Sequence, residues 1–341
     1  MAWSKKLPAN PVVAVAGATG AVGREMLLVL EQRNFPASRV IALASSRSAG
    51  KKLPYADGEL TVEEMTPASF DGVDIALFSA GGSVSKELRD AVVGAGCVMI
   101  DNSSAFRMDD DVPLVVPEVN PEDIEWHSGV IANPNCSTIQ MVVALKPLDD
   151  LSQIKRVVVS TYQATSGAGA AAMEELYSQS RDFLMGQELH VENFAHRIAF
   201  NCIPHIDVFM PDGSTKEEWK MVVETKKIMH LPEIAISATC VRVPVLRCHS
   251  ESINVEFAEP AFLGAVMEVL GDAPGITMMD DPQSKTYPMP ALLEGTDDVY
   301  IGRLRRDDSV PYGVSFWCVA DQLRKGAALN AVQIAELLLG K

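Results

Sequence analysis

Asn133-Pro134-Asn135-Cys136-Ser137-Thr138 places a cysteine where a proline-stiffened turn runs into an apolar helical stretch, Ile139 to Leu145. The start of a helix carries unpaired backbone N–H groups and a partial positive charge. Both favour a thiolate over a thiol and suit a developing oxyanion. The chemistry this spacing predicts is nucleophilic catalysis by sulfur. A small buried thiol is the competing reading, but the residues on both sides of Cys136 are polar.

A thiolate nucleophile works beside a group that moves protons near neutral pH, usually a histidine. The chain has six: His127, His190, His196, His205, His230 and His249. Position alone does not choose among them, and a structural histidine is the default for each. His249 lies in a stretch dense in Arg and Glu, and strict strand alternation puts Arg247, His249 and Glu251 on one face. Cys248 beside His249 suggests a metal pair. Adjacent strand residues point to opposite faces, so no metal site is expected.

These groups need a scaffold, and the first half supplies a familiar one. Val12 to Ala16 is an apolar run suited to a buried parallel strand. Gly17-Ala18-Thr19-Gly20-Ala21-Val22-Gly23 follows, then an apolar helical pattern from Val22 to Leu30. Strand, glycine turn and helix stand in the order of a dinucleotide phosphate loop. The spacing is GxxGxxG, not the commoner GxGxxG, and a plain tight turn is the alternative. The next strand, Val40 to Ala44, ends in Ser45-Ser46-Arg47-Ser48. An NAD site normally has an acid there for the ribose hydroxyls. A cation flanked by hydroxyls suits a 2′-phosphate, so NADP is expected over NAD. The alternative is a solvated loop.

Asp74 to Ser79 and Val98 to Asp101 read as further strands of that sheet, followed by Ser79-Ala80-Gly81-Gly82 and by Asp101 to Arg107. Arg107 would emerge on the ligand side, although its position alone reads as a surface arginine. The run Asp109 to Asp111 reads as solvated. In the second half, Val157 to Gln163 is a strand running into Ser166-Gly167-Ala168-Gly169 and a helix from Ala170 to about Ser180. Glu217 to Ile228 reads as a helix, Ala235 to Val245 and Leu246 to Val255 as two strands, and Ala327 to Leu339 as a terminal helix. Residues 178–210 show no clear period.

At 341 residues two domains are expected. The 48% hydrophobic and 22% charged content is that of an ordinary globular protein. A net charge of −16 opposes a nucleic-acid or acidic-membrane partner. No apolar run reaches membrane-spanning length, and Met1 to Pro11 lacks the apolar core of a signal peptide. Six scattered cysteines without a CxxC pair fit reduced thiols in a cytoplasm better than disulfides or zinc.

Four segments, in order, resemble the aspartate-semialdehyde dehydrogenase family: Gly17 to Gly23, Ser46 to Lys51, Asn133 to Thr138, and Arg242-Val243-Pro244-Val245 ending in Arg247-Cys248-His249. The resemblance runs from about Val12 to the C-terminus. N-acetyl-glutamyl-phosphate reductase shares the logic but typically reads Asn-Pro-Gly-Cys-Tyr at the nucleophile, which this chain does not.

The resemblance implies an α/β fold. A Rossmann-type NADP domain spans 1–135 and is completed by 322–341, and a catalytic and dimerisation domain with a mixed sheet spans 136–321. It implies NADP-dependent reductive dephosphorylation of L-aspartyl 4-phosphate, in lysine, threonine and methionine biosynthesis. Cys136 looks like the acyl-thioester nucleophile, His249 like the acid/base that activates it, and Gln163 like the residue that positions the substrate. Arg242 looks like the clamp on the substrate α-carboxylate, Glu217 like the site for its ammonium, and Arg107 and Lys220 like phosphate holders. Gly17, Thr19, Gly20, Ala21, Val22, Arg47, Ser48, Ser166 and Gly167 would line NADP. Gln322 stands where many relatives have Asn and carries the same expectation. A homodimer is implied, with Thr286 to Pro290 as one contributing segment. The rivals are the acetyl-glutamyl-phosphate enzyme, a non-catalytic NADP-binding regulator and a structural thiol protein.

Overall fold

The computed structural model describes Trp3 and residues 5–341. Residues 1, 2 and 4, part of the stretch read above for a signal peptide, lie outside the described residues. The chain forms two compact units. One runs to Asn135 and takes in Ala327–Lys341, and the other is Cys136–Gly326.

The first unit begins with β1 (Val12–Ala16), α1 (Ala21–Gln32), β2 (Arg39–Ala44), β3 (Lys52–Tyr55), β4 (Gly58–Thr61) and β5 (Glu63–Glu64). It continues with β6 (Ile75–Phe78), α2 (Gly82–Gly94), β7 (Val98–Asp101) and β8 (Val130–Ala132). Six strands form a wholly parallel sheet in the order β5-β2-β1-β6-β7-β8, and β3 and β4 make a separate antiparallel ribbon. The strand order reverses between β1 and β6, where such sheets open a crevice for ligands at the strands' carboxyl ends. The apolar runs in β1, β6 and β7 are buried, as parallel strands covered on both faces must be.

The second unit holds α3 (Cys136–Leu151), β9 (Ile154–Gln163), α4 (Ala170–Leu184), α5 (Lys216–Ile228), β10 (Ala235–Arg242) and β11 (His249–Phe257). Then come α6 (Leu263–Asp272), β12 (Ile276–Met278), α7 (Pro290–Leu293), β13 (Val299–Asp307) and β14 (Gly313–Ala320). Its mixed sheet runs β10-β9-β11-β14-β13-β12. The β9–β11, β11–β14 and β13–β14 pairs are antiparallel, and the two outer pairs are parallel. Alternation buries Val157, Val159, Thr161 and Gln163 on β9, and His249, Glu251, Ile253 and Val255 on β11. α3 packs against β9, β13 and β14. Last, α8 (Leu329–Leu338) belongs to the first unit and packs Ala331, Val332, Ile334 and Ala335 into the core that also holds Met26, Leu27 and Leu30 of α1. Each large apolar side chain so buried contributes about 1.5–3 kcal/mol.

The α/β class expected from the sequence is borne out, with several local departures. The strand read over Ala235 to Val245 stops at Arg242, two residues before Pro244, which has no N–H for a ladder. The strand read from Leu246 begins only at His249, because Cys248 has a left-handed φ of 71° that breaks the alternation. Arg247 therefore does not share a face with His249, and pairs instead with Asp321 at 2.7 Å. The run Asp109 to Asp111 is more than solvated, since Arg89 bridges Asp109 and Asp111. Beyond α4, residues 185–215 carry only isolated bridges, among them Ile203–Arg242 and Phe209–Thr215. The terminal helix starts at Leu329, after a wide π turn over Arg324–Ala328. Among the described residues, no helix is long and apolar enough to cross a membrane.

Candidate active site

Cys136 is the first residue of α3 and is part-exposed. Of the other five cysteines, Cys97, Cys240, Cys248 and Cys318 are buried, and burial pushes each thiol up, Cys97 and Cys248 to about 12. A buried thiol of that kind is a poor nucleophile. Cys202 is exposed, but it lies in the stretch without helix or named strand. The chain leading to the π turn passes directly over Cys136. A β-carbon on Gly326 would meet the Cys136 β-carbon at 3.0 Å.

His249 is completely buried at the head of β11. Its Nδ1 accepts the Ala164 backbone N–H at 3.0 Å. The carbonyl of the same residue accepts Nη1 of Arg242 at 2.6 Å. Ala164 thus ties imidazole and guanidinium to one short backbone segment. Burial, aided by the Arg242 charge, holds His249 well below the usual histidine range. Burial also pulls Arg242 down, opposed by the charges of Glu217, Cys136 and Cys240. Arg242 is therefore electrostatically coupled to the predicted nucleophile, to Glu217 and to His249 at once. Gly167 makes the arrangement possible, because a β-carbon there would lie 3.1 Å from Arg242 Nη1, His249 Cε1 and His249 Nε2 alike.

Gln163 ends β9 on the same buried face. Thr161 Oγ1 donates to its Oε1 at 2.9 Å, and its Nε2 donates to Glu217 Oε1 at 3.1 Å. Glu217 sits in the first turn of α5, where a capping box fixes the helix start: Thr215 Oγ1 accepts the Glu218 N–H, and Glu218 accepts the Thr215 N–H. Lys220, one turn on, pairs with Glu217 at 3.1 Å and with Asp207 at 2.7 Å. Burial opposes the Lys220 charge, but the two carboxylates outweigh it and raise its pKa. A cavity of about 250 Å³ opens beside these groups, lined among others by Arg242, Asp207, His205 and Asn193. It offers a cation, Arg242, and a carboxylate, Asp207, to a small zwitterionic ligand.

The structure brings Gln163, Gly167, Glu217, Lys220, Arg242 and His249 together in the second unit, with Cys136 coupled to them through Arg242. Ser166 and Gln322 meet there too: Gln322 Nε2 donates to Ser166 Oγ, and its Oε1 accepts the Cys248 N–H at 2.8 Å. This pins the turn before His249 to the C-terminal segment.

Arg107 lies in the first unit. It is not the surface arginine its position suggested, being 7% exposed and donating to the Asn133 carbonyl and the Asn102 carbonyl, each at 3.0 Å. The glycine loop is also there. Gly17 has a φ of 88°, and a β-carbon on it would lie 2.3 Å from the Ser79 carbonyl oxygen after β6. Only glycine brings the two loops this close. Gly20 precedes α1 with no side-chain cap, so the helix start presents backbone N–H groups through Ala21 and Val22, next to Thr19. Arg47 and Ser48 form a short 3₁₀ turn at the carboxyl end of β2. Arg47 is exposed and makes no ion pair among the described residues. These features fit a dinucleotide whose ribose carries a 2′-phosphate.

Sequence reading missed Asp207, Ala164 and Gly326. Asp207 lies 13 positions from its partner Lys220, Ala164 acts through its backbone, and Gly326 matters only through what it approaches. A weak signal existed for Gly326 alone, a glycine just ahead of a terminal helix.

Residues 12–127 match the family described as semialdehyde dehydrogenase, NAD binding domain, and residues 145–325 match semialdehyde dehydrogenase, dimerisation domain. An aspartate-semialdehyde dehydrogenase of Aquifex aeolicus is 57% identical over 331 residues, covering 96% of this chain and 97% of that protein. A crystal structure of aspartate semialdehyde dehydrogenase II from Vibrio cholerae, complexed with ASA, superposes with a TM-score of 0.95 at 47% identity, covering 97% of this chain and 99% of that one. The Candida albicans enzyme, solved with NADP, superposes with a TM-score of 0.76 at 28% identity, covering 96% and 98%.

Proposed function

The chain belongs to the aspartate-semialdehyde dehydrogenase family, and we propose that it converts L-aspartyl 4-phosphate to L-aspartate 4-semialdehyde through an acyl-thioester on Cys136. The observation that carries this reading is the buried cluster on one backbone segment: Ala164 binds His249 Nδ1 through its N–H and Arg242 Nη1 through its carbonyl, and the adjacent Gln163 binds Glu217.

Arg242 holds the substrate α-carboxylate, for which a planar guanidinium is suited. Glu217 takes the ammonium, and Gln163 fixes the chain between the two. Lys220 and Arg107 bind phosphate. The Cys136 sulfur attacks the acyl carbon, and phosphate leaves. The thioester replaces a carboxylate that hydride does not readily reduce, and two easier steps replace one hard one. The glycine loop, Arg47 and Ser48 hold NADP, with Ser166, Gly167 and Gln322 serving its nicotinamide end. When bound, NADPH supplies the hydride that reduces the thioester.

A homodimer in the cytoplasm completes the reading. The dimerisation-domain match supports the first part, as do the exposed Tyr177, Leu184 and Phe200 around an apolar groove of about 480 Å³. Six free cysteines fit a reducing compartment. The test is oxidation of L-aspartate 4-semialdehyde, followed at the nicotinamide absorbance. Turnover that needs both NADP and phosphate is the expected result. Turnover only with the N-acetyl-glutamyl substrate, or none with either, defeats the reading.

A further inference from the structure

We propose that Asp321 is a positioning residue for the reaction: its buried carboxylate fixes the turn that enters β11 against the π turn that covers Cys136. The inference rests on the assignment of Cys136 and His249 to one active site.

Asp321 directly follows Ala320, the partner of His249 in the β11–β14 ladder. Its side chain is fully buried, and a buried carboxylate needs donors around it. Three meet it. Oδ2 accepts Nε of Arg247 and the Gly295 N–H, each at 2.7 Å. Oδ1 accepts the Leu323 N–H at 3.0 Å. The Asp321 carbonyl accepts the N–H groups of Arg324 and Gly326, at 3.0 and 3.3 Å. Three pieces of backbone are thereby joined: the turn before β11, the loop after α7, and the π turn.

Two of these pieces carry the site. Cys248 separates Arg247 from His249 and has the left-handed φ of 71°. A residue with a β-carbon keeps that conformation only where its surroundings impose it. Here they act from three sides. Arg247 is tied to Asp321, the Cys248 N–H donates to Gln322 Oε1 at 2.8 Å, and the Cys248 side chain packs with Leu293 and Val319. The strained residue therefore feeds His249 into β11 from a single backbone direction. On the other side, Gly326 lies so near Cys136 that any movement of the π turn changes the cover of the sulfur. Arg324 adds a second brace, pairing with Asp297 of the loop after α7 at 2.6 Å.

Among the described residues, Asp321 bonds to neither of the groups assigned to hold the substrate. Arg242 is fixed by the Ala164 carbonyl, and Glu217 by the capped start of α5 and by Gln163. Loss of the carboxylate thus loosens the entry to β11 and the cover of Cys136 while the substrate-holding groups stay in place. Its effect falls on the rate of the chemical steps and spares binding.

The test is steady-state oxidation of L-aspartate 4-semialdehyde by full-length Asp321→Ala and Asp321→Asn, well below their melting temperatures. For Asp321→Ala, kcat is expected to fall on the order of 10²-fold with the KM for the aldehyde unchanged, the cost of displacing reacting groups by about 1 Å. Alkylation of Cys136, followed by mass spectrometry, quickens as the π turn loosens over it. Asp321→Asn keeps an acceptor where Oδ2 stands and recovers most of the lost kcat. A merely structural carboxylate would lower the melting temperature and leave kcat and the alkylation rate at the parent values. That result overturns the inference, as does a KM that rises in step with the fall in kcat, or an Asp321→Asn no better than Asp321→Ala. If Asp321→Ala does not fold, Arg247→Met decides, since it removes one of the three donors: a lower kcat at unchanged KM supports the inference, and full kcat overturns it. Full turnover by both Cys136→Ala and His249→Ala defeats the active-site assignment, and the inference with it.

Discussion

Gly326 and Cys136 are packed so closely that a side chain on the glycine would begin 3.0 Å from the Cys136 β-carbon. The Gln322 β-carbon, 3.2 Å from the same point, closes the other side. Gly326→Ala therefore forces α3 or the π turn to shift. Overpacking of this kind costs about 1–3 kcal/mol, and misplacing a reacting group by about 1 Å costs on the order of 10²-fold in rate. The variant is expected to melt lower and to lose kcat more than KM. Unchanged melting and full kcat would show that the contact yields without moving the sulfur.

Cys136→Ala removes the only thiol placed at the start of a helix in the second unit. Turnover is expected to vanish while NADP binding, measured by titration, persists. Cys202, the exposed thiol, is the control, and its replacement by Ser leaves activity intact. Substantial turnover by Cys136→Ala would remove the covalent mechanism.

Local signals made part of this legible. β1, the glycine loop and α1 follow one another within about twenty residues, so period and spacing suffice to read them. Cys136 announces itself by an apolar helix directly after a polar turn. The histidine was different: position left six open and only the family resemblance pointed to His249, while the fold alone sets it against Ala164 and Arg242. The reading of Arg247, His249 and Glu251 as one face failed because a single left-handed residue, Cys248, shifts the alternation, and no periodicity analysis sees a φ angle. Of residues 178–210, which gave no pattern, those to Leu184 finish α4 and the rest form almost no ladder, with Asp207 held there by a distant lysine.

Lys220 stands between two carboxylates, at 3.1 Å from Glu217 and 2.7 Å from Asp207, with only 12% of its side chain exposed. Lys220→Met leaves Glu217 buried beside no cation at that side, and breaking a buried pair costs about 3–5 kcal/mol. A drop of that size in urea-unfolding free energy is expected, together with weaker phosphate saturation. Adding Glu217→Gln recovers stability but not activity. If the single variant is as stable as the parent, the ion pair contributes little.

Arg47→Glu tests the cofactor preference. Arg47 lies exposed at the carboxyl end of β2, without an ion pair among the described residues. A cation there meets a 2′-phosphate by a charge-assisted bond, and reversal replaces attraction with repulsion. NADPH binding is expected to fall about tenfold or more relative to NADH. Equal losses for both cofactors would take Arg47 out of the phosphate site.

Glu251 shows what an uncompensated buried acid does to stability. It is fully buried two residues from His249, and neither of its carboxylate oxygens has a hydrogen-bond partner among the described residues. Burial raises its pKa well above the ordinary 4.5, and the facing Gln140 carboxamide offsets this only in part, without a hydrogen bond of ordinary geometry. The folded protein thus keeps Glu251 protonated where the unfolded chain has already ionised it. The folded state then binds more protons, so its stability falls as pH rises from 4.5 toward the raised value. Glu251→Gln removes that titration and keeps the shape. Buried His249 works in the opposite direction, costing stability as pH falls below 6.5, and is common to both proteins. The difference in unfolding free energy between variant and parent is therefore expected to grow from near zero at about pH 4 to a clear advantage for the variant at neutral pH. A difference that stays flat over that range would mean Glu251 is ionised in the folded protein and held by a partner.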